Sequence, residues 1–142
     1  MAVPSQTKFS RNGVELINSC DRANYYIGEL TRAALKDVGK FVCRETRKKI
    51  RRKTGKLAKN TQYWVRKKEQ DCLVGFKTAG WYGSYQELGT GKTPKVGALR
   101  ESVDSNIDMI QKIEAQYLSA IDDELRAQTL INEEEELGED EI

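Results

Sequence analysis

Residues Gln86 to Lys95 read QELGTGKTPK. Whether the GTGKT within them is a phosphate loop decides between a nucleotide-driven enzyme and a fold whose glycines only turn the chain. A phosphate loop needs a first glycine five residues before Gly91, so that the backbone can cradle phosphates. Gln86 stands there. Such a loop also runs straight into a helix whose amides face the ligand, and Pro94 removes one of those amides. The glycines of this stretch are therefore read as turn residues.

Upstream of it, alternating residues mark strands. In NTQYWVRK, residues 60–67, Tyr63 and Val65 share one face and Trp64 takes the other. In DCLVGFK, residues 71–77, Cys72, Val74 and Phe76 share a face. KKEQD between them reads as a hairpin connection. TAGWYGSYQEL, residues 78–88, reads as an aromatic third strand or strand-like loop whose glycines permit a bulge or a close backbone approach.

Helical patterns flank this β region. From Gly13 to Arg51 the apolar residues Leu16, Cys20, Ala23, Ile27, Leu30, Ala34, Val38 and Phe41 recur at threes and fours. A continuous helix would span about 50 Å, so a break is expected near Asn18–Asp21, or at Gly28 or Gly39. From Gly97 to Leu130 a second stripe comprises Leu99, Val103, Ile107, Ile110, Ile113, Tyr117, Ile121 and Leu125. The expected fold is α+β: a long N-terminal helix, a small three-stranded antiparallel sheet, and a long C-terminal helix packed on the sheet. Residues 1–12 read as a flexible arm, 13–130 as a single domain, and 131–142 as an acidic disordered tail.

The 142 residues are 38% hydrophobic and 32% charged, a polar balance that leaves broad solvated or partner-facing surfaces. The net charge of +2 hides an asymmetry. Residues 1–70 hold 18 Lys/Arg against 6 Asp/Glu, and residues 71–142 hold 6 against 16. There is no histidine, so near-neutral acid–base chemistry and zinc binding lose their commonest residue. Cys20, Cys43 and Cys72 are odd in number and widely spaced, which reads as reduced thiols. No secretory signal and no membrane span are expected.

The sharpest charge feature is Arg44, Arg47, Lys48, Lys49, Arg51, Arg52, Lys53, Lys56 and Lys59, interrupted only by Glu45. It suits nucleic-acid phosphate or an acidic protein surface, or simply a solvated helix end favoured by the dipole. Tyr63 and Trp64 could stack on bases but read better as core. Glu87 lacks the second carboxylate or metal cluster that hydrolysis would need. It reads as a structural carboxylate, accepting bonds from amides of the Gly89–Gly91 turn or from a neighbouring subunit's Arg or Lys. No catalytic residue, metal or cofactor is assigned.

Three pieces occur in order: TGKL at 54–57, VGF at 74–76 and YGSYQELGT at 82–90, followed by GALRESVDSN from Gly97. Together they resemble the small neck or tail-completion proteins of long-tailed bacteriophages, with their TG-[NKE]-L turn, VG strand and Y…Y…E-[FL]-G-T segment. The likeness covers roughly residues 13 to 125. VGALRES stands where that family commonly has a P-F-L element. The resemblance implies a structural virion protein of the neck, joining a DNA-filled head to a tail and made in the host bacterial cytoplasm. It implies a homo-oligomeric ring, sixfold by tail symmetry, touching other neck and tail proteins and DNA in the channel. The loop residues Trp81, Tyr82, Tyr85, Glu87, Gly89, Thr90, Gly91 and Lys92 would join the basic cluster as interface. A tail-terminator or head-closure ring is the nearest alternative, and a non-viral basic nucleic-acid-binding protein a further one.

Overall fold

In the computed structural model the described residues are 3–50, 55–92 and 94–139. The chain opens with strands β1 (Thr7–Arg11) and β2 (Val14–Asn18) in antiparallel pairing. Asn12 and Gly13 join them with φ of 52° and 78°, the two positive values of a two-residue hairpin turn. This replaces both the expected arm and the first turns of the expected helix. Asn-Gly between strand-forming residues outweighs a helical spacing that Leu16 had entered by coincidence.

Helix α1 (Cys20–Lys49) begins where one break was expected: Asn18 Oδ1 accepts from the Cys20 amide at 3.0 Å. It then runs unbroken through Gly28 and Gly39. Asp21 lies in its first turn and Arg47, Lys48 and Lys49 in its last, both favourable to the helix dipole. Gly39 is a site of contact. A Cβ there would lie 2.8 Å from the Tyr63 ring and 2.9 Å from Cys72 Sγ, distances that only glycine allows.

After the short helix α2 (Lys56–Lys59), strands β3 (Thr61–Arg66) and β4 (Asp71–Phe76) form the expected hairpin, with Tyr63 opposite Val74 and Val65 opposite Cys72. Thr61, Tyr63 and Val65 face inward with their partners, while the opposed pair Trp64 and Leu73 is exposed. The third strand does not form. Residues Thr78–Gly80 make a 3-10 turn and Gly83–Leu88 a helix, α3, so the described residues form two two-stranded sheets in place of one three-stranded sheet. Trp81, Tyr85 and Leu88 are spaced by four and three, a helical period that a strand would scatter over both faces. The close approach expected of the glycines is present. A Cβ on Gly83 would fall 2.5 Å from the Phe76 ring, and one on Gly80 3.1 Å from Asn60 Cβ.

The second helical stripe is divided among α4 (Ala98–Asp104), α5 (Ile107–Leu118) and α6 (Glu124–Glu139). Asn106 Nδ2 donates to the Ser102 carbonyl at the first break, and Asp123 Oδ1 accepts from the Leu125 and Arg126 amides at the second. The expected single long helix is thus three. α6 carries helix to Glu139, through most of the segment expected to be disordered; residues 140–142 lie outside the described residues.

Two compact units result. Residues 34–116 form one, with Ile50, Leu57 and Ala98 buried together and Phe76, Tyr82 and Val96 packed against them. Residues 1–33 with 117–142 form the other. Its buried residues include Tyr26, Leu30, Ala33, Tyr117, Ala120, Ala127, Leu130 and Ile131. Cys20, Cys43 and Cys72 are all free thiols, and burial pushes the pKa of Cys72 up, with Asp71 adding to the effect.

Candidate functional site

Glu87, Gly89 and Gly97 together shape the entry to α4. α4 begins after Gly97, which has φ 61° and no side chain to cap the helix. The Glu87 carboxylate does so instead. Its Oε2 accepts from the Leu99 amide and its Oε1 from the Arg100 amide, each at 3.0 Å. These are the second and third helical amides, the two that an N-cap side chain normally satisfies. The role is structural as expected, but the donors belong to α4 and not to the Gly89–Gly91 turn. Gly89, at φ 77°, turns the chain so closely that a Cβ would lie 3.0 Å from the Lys95 backbone nitrogen. The Val96 amide then closes the loop by donating to the Gln86 carbonyl at 2.8 Å.

With Glu87 and Tyr82 turned inward, the outer side of α3 and its preceding turn is apolar. Trp81, Tyr85 and Leu88 are 68%, 50% and 76% exposed. The Trp81 ring stands edge-on to both Tyr82 and Tyr85, with centroids 5.9 Å apart in each pair. Among the described residues of its own unit, no element covers this pre-ordered ridge. Lys77 lies before it in the chain and Lys92 and Lys95 after it; all three are exposed and unpaired among the described residues. Thr90 and Gly91 are exposed beside Lys92, and the Thr90 hydroxyl accepts from the Lys92 amide at 3.3 Å.

Among the described residues, the side chains of the basic cluster differ in their partners. Arg47 is committed to the fold, donating from Nε to the Ala58 carbonyl at 3.2 Å and from Nη2 to the Thr61 carbonyl at 2.9 Å. Lys48 pairs with Glu45 at 2.8 Å, and Lys49 lies 3.7 Å from Glu101. Arg44, Lys56 and Lys59 are exposed, and of these Arg44 and Lys59 have no side-chain partner among the described residues. Arg51, Arg52 and Lys53 lie outside the described residues.

A family model described as "Bacteriophage HK97-gp10, putative tail-component" matches residues 15–89, just over half of the chain. The chain belongs to the HK97-gp10-like family. Comparison with curated proteins and with solved structures gave no match. Membership puts it among the tail-component structural proteins of bacteriophages, consistent with the neck and tail-completion resemblance of its motifs. The stretch shared with HK97-gp10-like proteins runs from β2 to the end of α3. It therefore includes the ridge and Glu87, but not the α4 amides that Glu87 caps. In this HK97-gp10-like chain, Gly55 of the TGKL turn has φ 73° and opens α2. VGF ends β4, placing Phe76 against Gly83. Tyr82 is core, Tyr85 is surface, and the E-L-G-T segment supplies the cap and the turn.

In the other unit, Arg22 donates from Nε to Glu124 Oε2 at 3.0 Å and also pairs with Oε1, and the Tyr26 hydroxyl donates to Oε1 at 3.2 Å. The Arg22 guanidinium holds the Glu124 carboxyl below the usual carboxylate range. Burial pushes the Tyr26 hydroxyl up, and its bond to Glu124 adds to this. The three residues help to line an open cleft of about 180 Å³. Among the described residues no group of three or more His, Cys, Asp or Glu could hold a metal, and no helix is long and apolar enough to cross a membrane. The sequence reading missed the exposed apolar face of the first hairpin, Phe9, Val14 and Leu16; the Asn12-Gly13 dipeptide was the signal that could have found it.

Proposed function

We propose that this tail component is the neck protein that completes the tail and joins it to the DNA-filled head, assembling as a ring through which the DNA passes. The observation that carries this reading is the ridge Trp81–Tyr85–Leu88, exposed on α3 and the turn before it, inside the family-matched stretch. Exposed aromatic anchors of this kind are typical centres of protein–protein interfaces. A closed ring needs two different surfaces on each subunit, and sixfold symmetry follows that of a tail. The role involves no catalytic step and no cofactor. Its partners are further copies and the neighbouring neck and tail proteins.

Arg44 and Lys59, exposed and without a side-chain partner among the described residues, face either an acidic neighbour or the DNA path. Contacts with moving DNA would be weak and non-specific, because tight binding obstructs passage. A tail-terminator or head-closure ring remains the second reading, since its subunits require similar surfaces. Electron microscopy of a phage lysate with this gene interrupted, beside a complemented control, tests the assignment. Separate full heads and finished tails support the neck role. Abnormally long tails would transfer the protein to tail termination, and intact infectious particles would remove it from the essential neck.

A further inference from the structure

The charge asymmetry between the sequence halves persists when the residues are sorted by compact unit. Residues 34–116 contain 19 Lys/Arg and 9 Asp/Glu, a net +10; residues 1–33 with 117–142 contain 5 and 13, a net −8. Each unit also exposes apolar side chains that lie close in sequence to charges mostly of its own sign. In the basic unit these are the ridge residues Trp81, Tyr85 and Leu88, bracketed by Lys77, Lys92 and Lys95. In the acidic unit the corner between α5 and α6 exposes Leu118, Ile121 and Leu125 at 63%, 46% and 79%. Exposed Asp122 and Asp123 lie within that corner.

We propose that the ridge of one copy seats on the α5–α6 corner of the next, with the three lysines facing the acidic side. An apolar centre with a complementary charged rim is the usual anatomy of a specific interface. The contact is heterologous, because ridge and corner are different surfaces. It propagates head to tail and leaves one free ridge and one free corner on any open chain, which a ring closes. The proposal rests on the ring reading above and names the surfaces that would build it.

Mixing two blocked variants of the full chain tests it. One carries Trp81→Glu and Leu88→Glu, which set acids against the corner; the other carries Ile121→Lys and Leu125→Lys, which set cations against the ridge. All four residues are exposed, and circular dichroism with thermal melting checks that both variants fold. Sedimentation should show wild type self-associating. Each variant alone should be weakened by roughly thirtyfold or more, and the mixture should give a 1:1 dimer only, since each partner retains the surface the other lacks. If wild type remains monomeric at the highest attainable concentration, or associates while the mixture does not, the contact is overturned. A ridge variant that associates as well as wild type overturns it too. An interrupted gene that leaves phage assembly intact, combined with the 1:1 dimer, would overturn the neck role and leave the contact standing. Stalled heads and tails with no association in any mixture would do the reverse.

Discussion

The Glu87 carboxylate is held 3.0 Å from the Leu99 amide, so a residue twelve positions upstream caps a helix whose own N-cap is glycine. The same carboxylate takes the Arg100 amide. α3, the glycine turn and α4 are thereby locked into one piece, and the ridge on α3 acquires a fixed backbone.

Replacing Glu87 by Ala removes both acceptors, and loss of such a cap costs about 1–2 kcal/mol. Glu87→Gln, with one acceptor oxygen, should fall between. Urea unfolding of the three proteins checks this. Equal stability of all three would mean that the cap contributes nothing to the fold.

Two glycines of α1 should respond oppositely to alanine. At Gly28 an added Cβ meets nothing within 4 Å, so the variant should gain roughly 0.5–1 kcal/mol of helix propensity. At Gly39 the same methyl collides with Tyr63 and Cys72, and overpacking of about 1–3 kcal/mol outweighs that gain. Paired thermal melts separate the two effects; a stabilising Gly39→Ala would refute the close helix–hairpin contact.

Charges that look alike in sequence should divide by function. Arg47→Ala leaves the Ala58 and Thr61 carbonyls without their donor and should cost about 1–3 kcal/mol. Arg44→Ala and Lys59→Ala should stay within about 0.5 kcal/mol of wild type. Denaturant curves check this, and equal losses at all three positions would contradict the assignment of Arg47 to the fold.

Acid stability should depend on two exposed pairs. Hydrogen bonding from Arg22 lowers the Glu124 pKa, and hydrogen bonding from Arg66 lowers that of Asp71, its cross-strand neighbour. The folded values lie below the unfolded ones, so the stabilisation is present above the ordinary carboxylate range near pH ~4 and is lost as pH falls below it. Tyr26 acts at the other extreme. Its raised value gives stabilisation that is lost as pH climbs beyond about 10. Melting temperature followed from pH 7 downward should drop less steeply for Glu124→Gln and Asp71→Asn than for wild type. An unchanged acid limb in both variants would show that these pairs are energetically silent.

Much of the local structure was legible because it is written in short-range periodicity. Alternation of Tyr63, Trp64 and Val65 against Cys72, Val74 and Phe76 set the β3–β4 pairing, since a one-residue slip would turn Tyr63 outward and Trp64 inward. The course of α1 followed from its three–four spacing, and the turn role of Gly89 from the failure of the phosphate-loop pattern. The third strand was misread because aromatic content suggested β structure while the spacing of Trp81, Tyr85 and Leu88 was helical. The first hairpin was missed because residues 1–12 were read as an arm and the helical stripe was begun at Gly13, so that Asn12-Gly13 fell on a boundary instead of being read as a turn.

By itself, then, the sequence determined the basic and acidic content, the second hairpin, the main helices and the family motifs, all properties of neighbouring residues. The tertiary structure alone decided that Glu87 caps α4, and that Arg47 is spent on two carbonyls while Arg44 stays open. These depend on which distant backbone groups need partners. A carboxylate or guanidinium can satisfy any of several, and only the folded chain brings a particular amide or carbonyl within 3 Å.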